Sequence, residues 1–209
     1  MKDAIKSVTS SFSRNFSIMI FGNALFLKSA NLADRRKMYH WLTCSDIPPE
    51  KPDTPAFPEA PAPSWEEFCA DYTDSYFGNS SMQGRKLFLI MMEGEEIGVV
   101  GYDLLDPKAG HVVLNIWLRA KKFSDHGPDA LEILCEYLHK KYGISEFFMR
   151  PSAGNAKTWA AYEKCGCKIL PMSRDEFRTR FGGAREFEYA DNVKFYKNIA
   201  KAVAVELVS

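Results

Sequence analysis

Apolar residues in this chain recur at two different spacings, and the changes between them mark out the elements. Ile18 to Ala30 (IMIFGNALFLKSA) reads as a strand or a bent hairpin. Asn31 with Asp34 three residues on opens a helix, which Met38, Trp41 and Leu42 continue to about Thr43. Ser64 with Glu67 repeats that capping box, and Phe68, Tyr72 and Tyr76 at four-residue steps predict a second helix from Trp65 to Phe77. Further on, RKLFLIMM and EIGVVGYDLL flank Glu93-Gly94-Glu95, the signal of a β-hairpin.

From His111 to Arg119, Val112, Leu114, Ile116 and Leu118 lie on one face of a strand, with Asn115 and Trp117 on the other. One face belongs to a core, and the other has something polar to meet. The helix that follows carries Leu131, Leu134, Leu138 and Tyr142 as its apolar stripe, and Lys140, Lys141 and Gly143 close it as the helix dipole and a C-terminal glycine favour. Ile144 to Arg150 then reads as a buried strand. Strand, helix and strand in this order make a right-handed crossover between parallel strands. Its helix N-terminus faces the carboxyl end of the first strand, where phosphates bind. Past Cys167, CKILPM and NVKFY read as strands, Ser173 with Glu176 as the start of a short capped helix, and NIAKAVAVELVS as a terminal helix.

Between the first two helices, Asp46 to Ser64 holds seven of the eleven prolines, which excludes regular structure and favours an extended loop suited to a lid. The 209 residues therefore divide into an N-terminal extension (1–17), one domain (18–196) with this proline-rich loop at 46–64, and a C-terminal tail (197–209). Twenty-seven basic residues balance 27 acidic ones, so the broad positive field of a nucleic-acid binder is missing. No apolar run is long enough for a signal peptide or a membrane span, and a cytoplasmic protein is expected. The five cysteines form no CxxC pair and are odd in number, which points to neither a zinc site nor a disulfide framework. No metal is expected.

The densest chemical signal is Asn155 to Cys167 (NAKTWAAYEKCGC). Helix positions seven apart lie within roughly 20° of one face, so Asn155 and Tyr162 can address one ligand. The same residues also suit a helix cap and a core tyrosine.

Taken with GPDALEILCEYLHKKYGISEFFMRPSAGNAKTWAAYEKCGC and with LFLKSANLADRRKMYHWLTCSD near the start, the chain resembles the GNAT superfamily of acyl-CoA-dependent N-acyltransferases, and within it the branch of ribosomal-protein and antibiotic acetyltransferases. The resemblance runs from about Leu25 to Cys167. It implies an α+β fold of three layers, with a mixed central sheet of about seven strands flanked by helices. It further implies transfer of an acetyl group from acetyl-CoA to a primary amine of a small molecule or a protein N-terminus, with no nucleic-acid or membrane partner and a homodimer left open. On the family pattern Tyr162 is the acid that protonates the leaving thiolate, and Asn155 contacts the pantetheine arm. The end of the fourth family strand, around Trp117 and Leu118, supplies a backbone N–H to the oxyanion.

The resemblance is weakest at the pyrophosphate loop. The family has Gln or Arg, two residues, Gly, one residue, then Gly or Ala; this chain offers Lys122, Phe123, Ser124, Asp125, His126 and Gly127, followed by Pro128. Asp125 stands where the first glycine belongs, and Lys122 and His126 supply charge in compensation. An innocent reading has Ser124 or Asp125 capping the helix with Pro128 in its first turn. A GNAT-fold binding or regulatory module with weakened CoA affinity is therefore the alternative function. The general base stays open among Asp103, His111, Asn115 and the acids of the proline-rich loop. Trp41, Trp65, Tyr72 and Tyr76 are candidates to line an acceptor site or to pack the core.

Overall fold

The computed structural model describes residues 18–43, 63–78, 84–106, 111–149, 162–163, 166–169 and 195–198. The sequence expected a strand or hairpin at the start, and the chain forms a hairpin: β1 (Met19–Phe21) pairs antiparallel with β2 (Phe26–Ser29). Gly22 N–H closes the turn on Leu25 O at 2.9 Å, and the ring of Phe21 stacks on that of Phe26. With this strand the mixed sheet has eight strands among the described residues, in keeping with the expected sheet of about seven.

A 3-10 turn capped by Asn31 and Asp34 leads into α1 (Arg35–Thr43). Ser64 and Glu67 form the expected capping box on α2 (Trp65–Asp71). That helix stops at Asp71, six residues short of the expected Phe77, with Tyr72 as its C-cap, and resumes only as a 3-10 turn over Asp74–Tyr76. Arg35 supplies the reason. Its guanidinium donates to the carbonyls of Cys69 and Tyr72 and to the carboxylate of Asp74, so α2's terminal acceptors are met by a side chain from α1 instead of by another helical turn.

β3 (Arg85–Met92) and β4 (Glu95–Asp106) form the second hairpin, turning at Glu93 and Gly94, both with positive φ, as a two-residue turn that follows the strand twist requires. Six successive residues of β3 are buried, because helices cover both sides of the sheet. β5 (His111–Leu118) follows antiparallel to β4. Next come a 3-10 helix (Lys121–His126), α3 (Gly127–Tyr142) and β6 (Glu146–Met149), which pairs parallel with β5 as the crossover pattern requires. Gly143 ends α3 in the left-handed conformation, its N–H returning to His139 O. β7 (Lys168–Ile169) and β8 (Phe195–Asn198) complete the strand order β1-β2-β3-β4-β5-β6-β8-β7.

Two cores sandwich the sheet. On one face Phe88, Ile90, Tyr102, Val112 and Leu114 pack with Leu131, Leu134 and Leu138 of α3. On the other, Leu87, Leu89 and Val99 pack with Met38 and Trp41 of α1 and Phe68 of α2. The N-terminal extension, most of the proline-rich loop, the predicted helices after Ser173 and Asn198, and the side chain of His111 lie outside the described residues.

Candidate functional site

β5 outruns its parallel neighbour. The two strands pair only at His111 with Glu146, Val112 with Phe147 and Val113 with Phe148. On its other side β5 stays paired to β4 through Leu118. Among the described residues, one edge of the strand from Leu114 to Leu118 therefore has no neighbour within the sheet and faces the gap beyond Met149, where β6 ends.

Strand alternation decides which groups line that edge. Arg119 N–H donates to Ile97 O at 2.9 Å, so Arg119, Trp117 and Asn115 turn their backbone groups toward β4. Leu114, Ile116 and Leu118 turn theirs toward the gap. Of the two positions proposed from sequence for an oxyanion N–H, Leu118 has its amide on the open edge and Trp117 has its amide committed to the sheet. The side chains divide the opposite way. Leu118 and Ile116 pack against the α3-side core, whereas Trp117 packs with the α1–α2 core, its ring 5.4 Å from Tyr72.

The segment proposed for the pyrophosphate follows directly. Lys122 is exposed, with its ammonium 4.6 Å from the centre of the Phe123 ring. Ser124 and Asp125 are exposed and His126 is half-buried. Gly127 is buried, and a Cβ there would sit 3.6 Å from Leu118 and 3.7 Å from Ile116, so the loop does return to the end of β5. Neither Ser124 nor Asp125 caps α3: the cap position is His126, and no side chain bonds there. The 3-10 winding is the physical reason, since it feeds the entering amides from carbonyls three residues back, Phe123 N–H to Ala120 O and Gly127 N–H to Ser124 O. Pro128 does lie in the first turn.

Tyr162 is buried and belongs to the apolar cluster that includes Val112 and Leu114 of β5 and Phe147 and Met149 of β6, the two strands that part company. Its carbonyl accepts from Cys167 N–H, and Gly166 supplies the positive φ of the expected glycine stop. Asn155, its proposed companion, lies outside the described residues.

Asp103 is engaged. Tyr76 donates to its Oδ2 at 2.5 Å and Arg85 Nε stands 3.4 Å from Oδ1. Burial, followed by the Asp103 charge, pushes the Tyr76 hydroxyl well above its ordinary value. The aromatic candidates form one chain of ring contacts, Trp65 to Phe68, Phe68 to Tyr72, and Tyr72 to both Tyr76 and Trp117. Trp41 and Tyr76 are core residues. Nearby charges are paired: Lys37 bridges Asp34 and Glu96, and Arg119 meets Glu95. Burial works against the Lys37 charge, but the two carboxylates outweigh it and raise its pKa. Among the described residues no group of His, Cys, Asp and Glu could hold a metal, and no helix is long and apolar enough to cross a membrane.

Sequence reasoning used Trp117 only through its backbone. The structure adds its indole, whose Nε1 is shut off from solvent with no hydrogen-bond partner among the described residues. The alternation that put Trp117 opposite Leu118 was the available signal. A groove of about 610 Å³ between the β1–β2 turn and α3, floored by Leu25, Ile133 and Tyr137, takes no residue from β5 and lies apart from this site.

A profile described as Acetyltransferase (GNAT) domain matches residues 25–168. Among solved structures the chain is similar to RimL, a ribosomal L7/L12 alpha-N-protein acetyltransferase in complex with coenzyme A, at 16% identity and a TM-score of 0.63, covering 87% of this chain and 98% of that one. It is similar to a spermidine N-acetyltransferase SpeG chimera from Vibrio cholerae and hSSAT at 17% identity and a TM-score of 0.62, over 87% and 99% of the two chains. It also resembles the aminoglycoside acetyltransferase AAC(6')-Ib in complex with coenzyme A and kanamycin, at 16% identity and a TM-score of 0.62, over 88% and 99%. No curated protein matches the sequence.

Proposed function

The chain belongs to the GNAT family of acetyl-CoA-dependent acetyltransferases, and from that membership we propose that it transfers an acetyl group to a primary amine of a small molecule or of a protein N-terminus. The observation that carries the reading is the edge of β5 from Leu114 to Leu118, which no strand among the described residues covers. An amide-rich pantetheine arm can add to such an edge as a strand does.

Acetyl-CoA supplies an activated thioester. The amine forms the new C–N bond as the C–S bond breaks, one proton leaves the amine and one is returned to sulfur. Leu118 N–H, fixed in direction by the sheet, meets the negative charge that builds on the carbonyl oxygen. Tyr162 donates the proton to sulfur, a contribution of ~10² to 10⁴ in rate for general acid catalysis. Asn155 contacts the pantetheine arm, and the segment from Lys122 to Gly127 meets the phosphates, with Lys122 and His126 supplying charge.

A second reading, a GNAT-fold binding module with weak CoA affinity, is favoured by one observation: Phe123 and Gly127 spend their N–H groups inside the 3-10 helix. Thermal unfolding with acetyl-CoA, followed by a panel of primary amines assayed for CoA release, separates the two. The enzyme gains about 2.7 kcal/mol of stability at 100 times the dissociation constant and releases CoA with at least one amine. No shift at millimolar acetyl-CoA and no release with any amine selects the module.

A further inference from the structure

β1 ends the strand order, so one of its sides has no neighbour among the described residues. Ser29 N–H donates to Ile18 O at 2.8 Å and Gly22 N–H to Leu25 O at 2.9 Å, which turns the backbone groups of Ile18, Ile20 and Gly22 toward β2. Met19 and Phe21 therefore hold their N–H and C=O groups outward. Sheet edges are ordinarily guarded by lysine, proline or a bulge. This one reads Met-Ile-Phe, and Met19 and Phe21 are two of the three large apolar side chains exposed among the described residues, at 52% and 73%.

The edge is complementary to itself. A two-fold axis through Ile20 sets Met19 opposite the partner's Phe21 and Phe21 opposite the partner's Met19, so that every outward backbone group enters a hydrogen-bonded pair. Alternation keeps the side chains consistent with that register. Ile20 points to the α3-side core, and Met19 and Phe21 share the other face, where each lies beside its opposite number across the axis.

α3 fits the same axis. A Cβ on Gly22 would collide with Ile133, so the end of β1 lies against that residue of α3. From there the helix runs antiparallel to β1, since Tyr137 reaches the ring of Phe88, which pairs with Ser29 beside Ile18. Two strand residues span about 6.6 Å and four helical ones about 6 Å, so the axis through Ile20 passes roughly level with Tyr137. It sets the half of α3 that carries Glu132 and Glu136 against the half that carries the partner's Lys140 and the partner's Lys141. All four side chains are exposed and line the groove of about 610 Å³ between the β1–β2 turn and α3.

We propose that the β1 edge and this groove are the contact through which two copies of the chain join as a two-fold dimer with one continuous sheet. The strand pair supplies the register, and the opposed acidic and basic halves of α3 supply the preference for a second copy over other edges. Sedimentation velocity of the full chain over a concentration series, at low and high salt, tests it. The wild-type protein passes from monomer to dimer as its concentration rises, and salt raises the dissociation constant. Phe21→Lys raises it by about tenfold or more with an unchanged circular-dichroism spectrum. The double variants Glu132→Lys with Glu136→Lys, and Lys140→Glu with Lys141→Glu, each self-associate weakly, and an equimolar mixture of the two forms a heterodimer; this result stands without Phe21→Lys should that variant fail to fold. A wild-type protein that is monomeric at every concentration overturns the inference, as does a dimer indifferent to Phe21→Lys and to both charge reversals. Dimerisation that begins only when residues 1–17 are deleted overturns it as well, because the chain's own N-terminal segment is then the occupant of the edge.

Discussion

The hydroxyl of Tyr76 donates to Asp103 across 2.5 Å, while Arg85 holds the other carboxylate oxygen from the neighbouring strand. A carboxylate fixed from two sides serves the packing of the 3-10 turn on the sheet better than it serves proton abstraction. Asp103→Asn keeps one acceptor for Tyr76 and is expected to retain kcat within a few-fold. Tyr76→Phe removes a hydrogen bond to a charged group, an effect of about 1.5–3 kcal/mol, read by urea unfolding. A hundredfold fall in kcat for Asp103→Asn, with loss of the acidic limb of the pH profile, would return Asp103 to the role of general base.

Tyr162→Phe separates chemistry from binding. The ring is part of the cluster spanning β5 and β6, and phenylalanine preserves it. Turnover with the true acceptor is expected to fall by ~10² or more, the lower range of general acid catalysis, with acetyl-CoA affinity within a few-fold of wild type. Unchanged turnover would reassign the proton donor.

Asp125, which the resemblance aligns with a family glycine, is exposed in the segment proposed for the phosphates. Removing its charge by Asp125→Asn is expected to tighten acetyl-CoA binding several-fold at low salt. The gain fades as salt approaches about 1 M, where the Debye length shrinks to about 3 Å. Equal affinity of the two proteins at low salt would place the phosphates elsewhere.

Gly127 allows a cleaner probe of the same segment. Its φ of -58° is ordinary helix, and an added Cβ would make only normal contacts with Leu118 and Ile116. Gly127→Ala is therefore expected to leave stability unchanged or raise it by about 0.4–1 kcal/mol. Any loss of acetyl-CoA affinity, measured by calorimetry, then reports phosphate approaching this backbone.

What could be read from residues alone follows a physical divide. Periodicity and capping are local, so β3, β4, β5 and α3, and the boxes at Asn31–Asp34 and Ser64–Glu67, are legible in the residues themselves. The early stop of α2 was not, because it depends on Arg35, more than thirty residues earlier, reaching the carbonyls of Cys69 and Tyr72. The eighth strand was ambiguous because a bent hairpin and a single strand share one apolar run. For the site, alternation separated Leu118 from Trp117, but not which of them turned its amide to the gap; that needed the register set by Arg119 on Ile97. The 3-10 winding of Lys121–His126 was equally hidden, since its residues suit an open loop as well.

Lys86 offers a test of the core that is independent of catalysis. It is the second residue of β3, opposite Tyr102, is buried, and its ammonium donates to Gly78 O at 2.5 Å. Burial, with help from the nearby Lys141 charge, lowers its pKa below the usual 10.5. A lysine whose pKa is depressed on folding binds fewer protons folded than unfolded, so its contribution to stability rises with pH. The unfavourable charge burial is fully present below the folded pKa, and it fades as pH climbs toward 10.5, where the unfolded lysine also gives up its proton. Lys86→Met carries no such charge. The melting temperature of wild type minus that of Lys86→Met is therefore expected to increase between pH 8 and pH 10.5, read by calorimetry at matched salt. Tyr76 and Tyr102, whose hydroxyls burial holds above their ordinary range, weaken both proteins alike at high pH and cancel in the difference. A difference that stays flat, or falls, would mean that the Lys86 ammonium is as well accommodated folded as unfolded, and that its bond to Gly78 outweighs its burial.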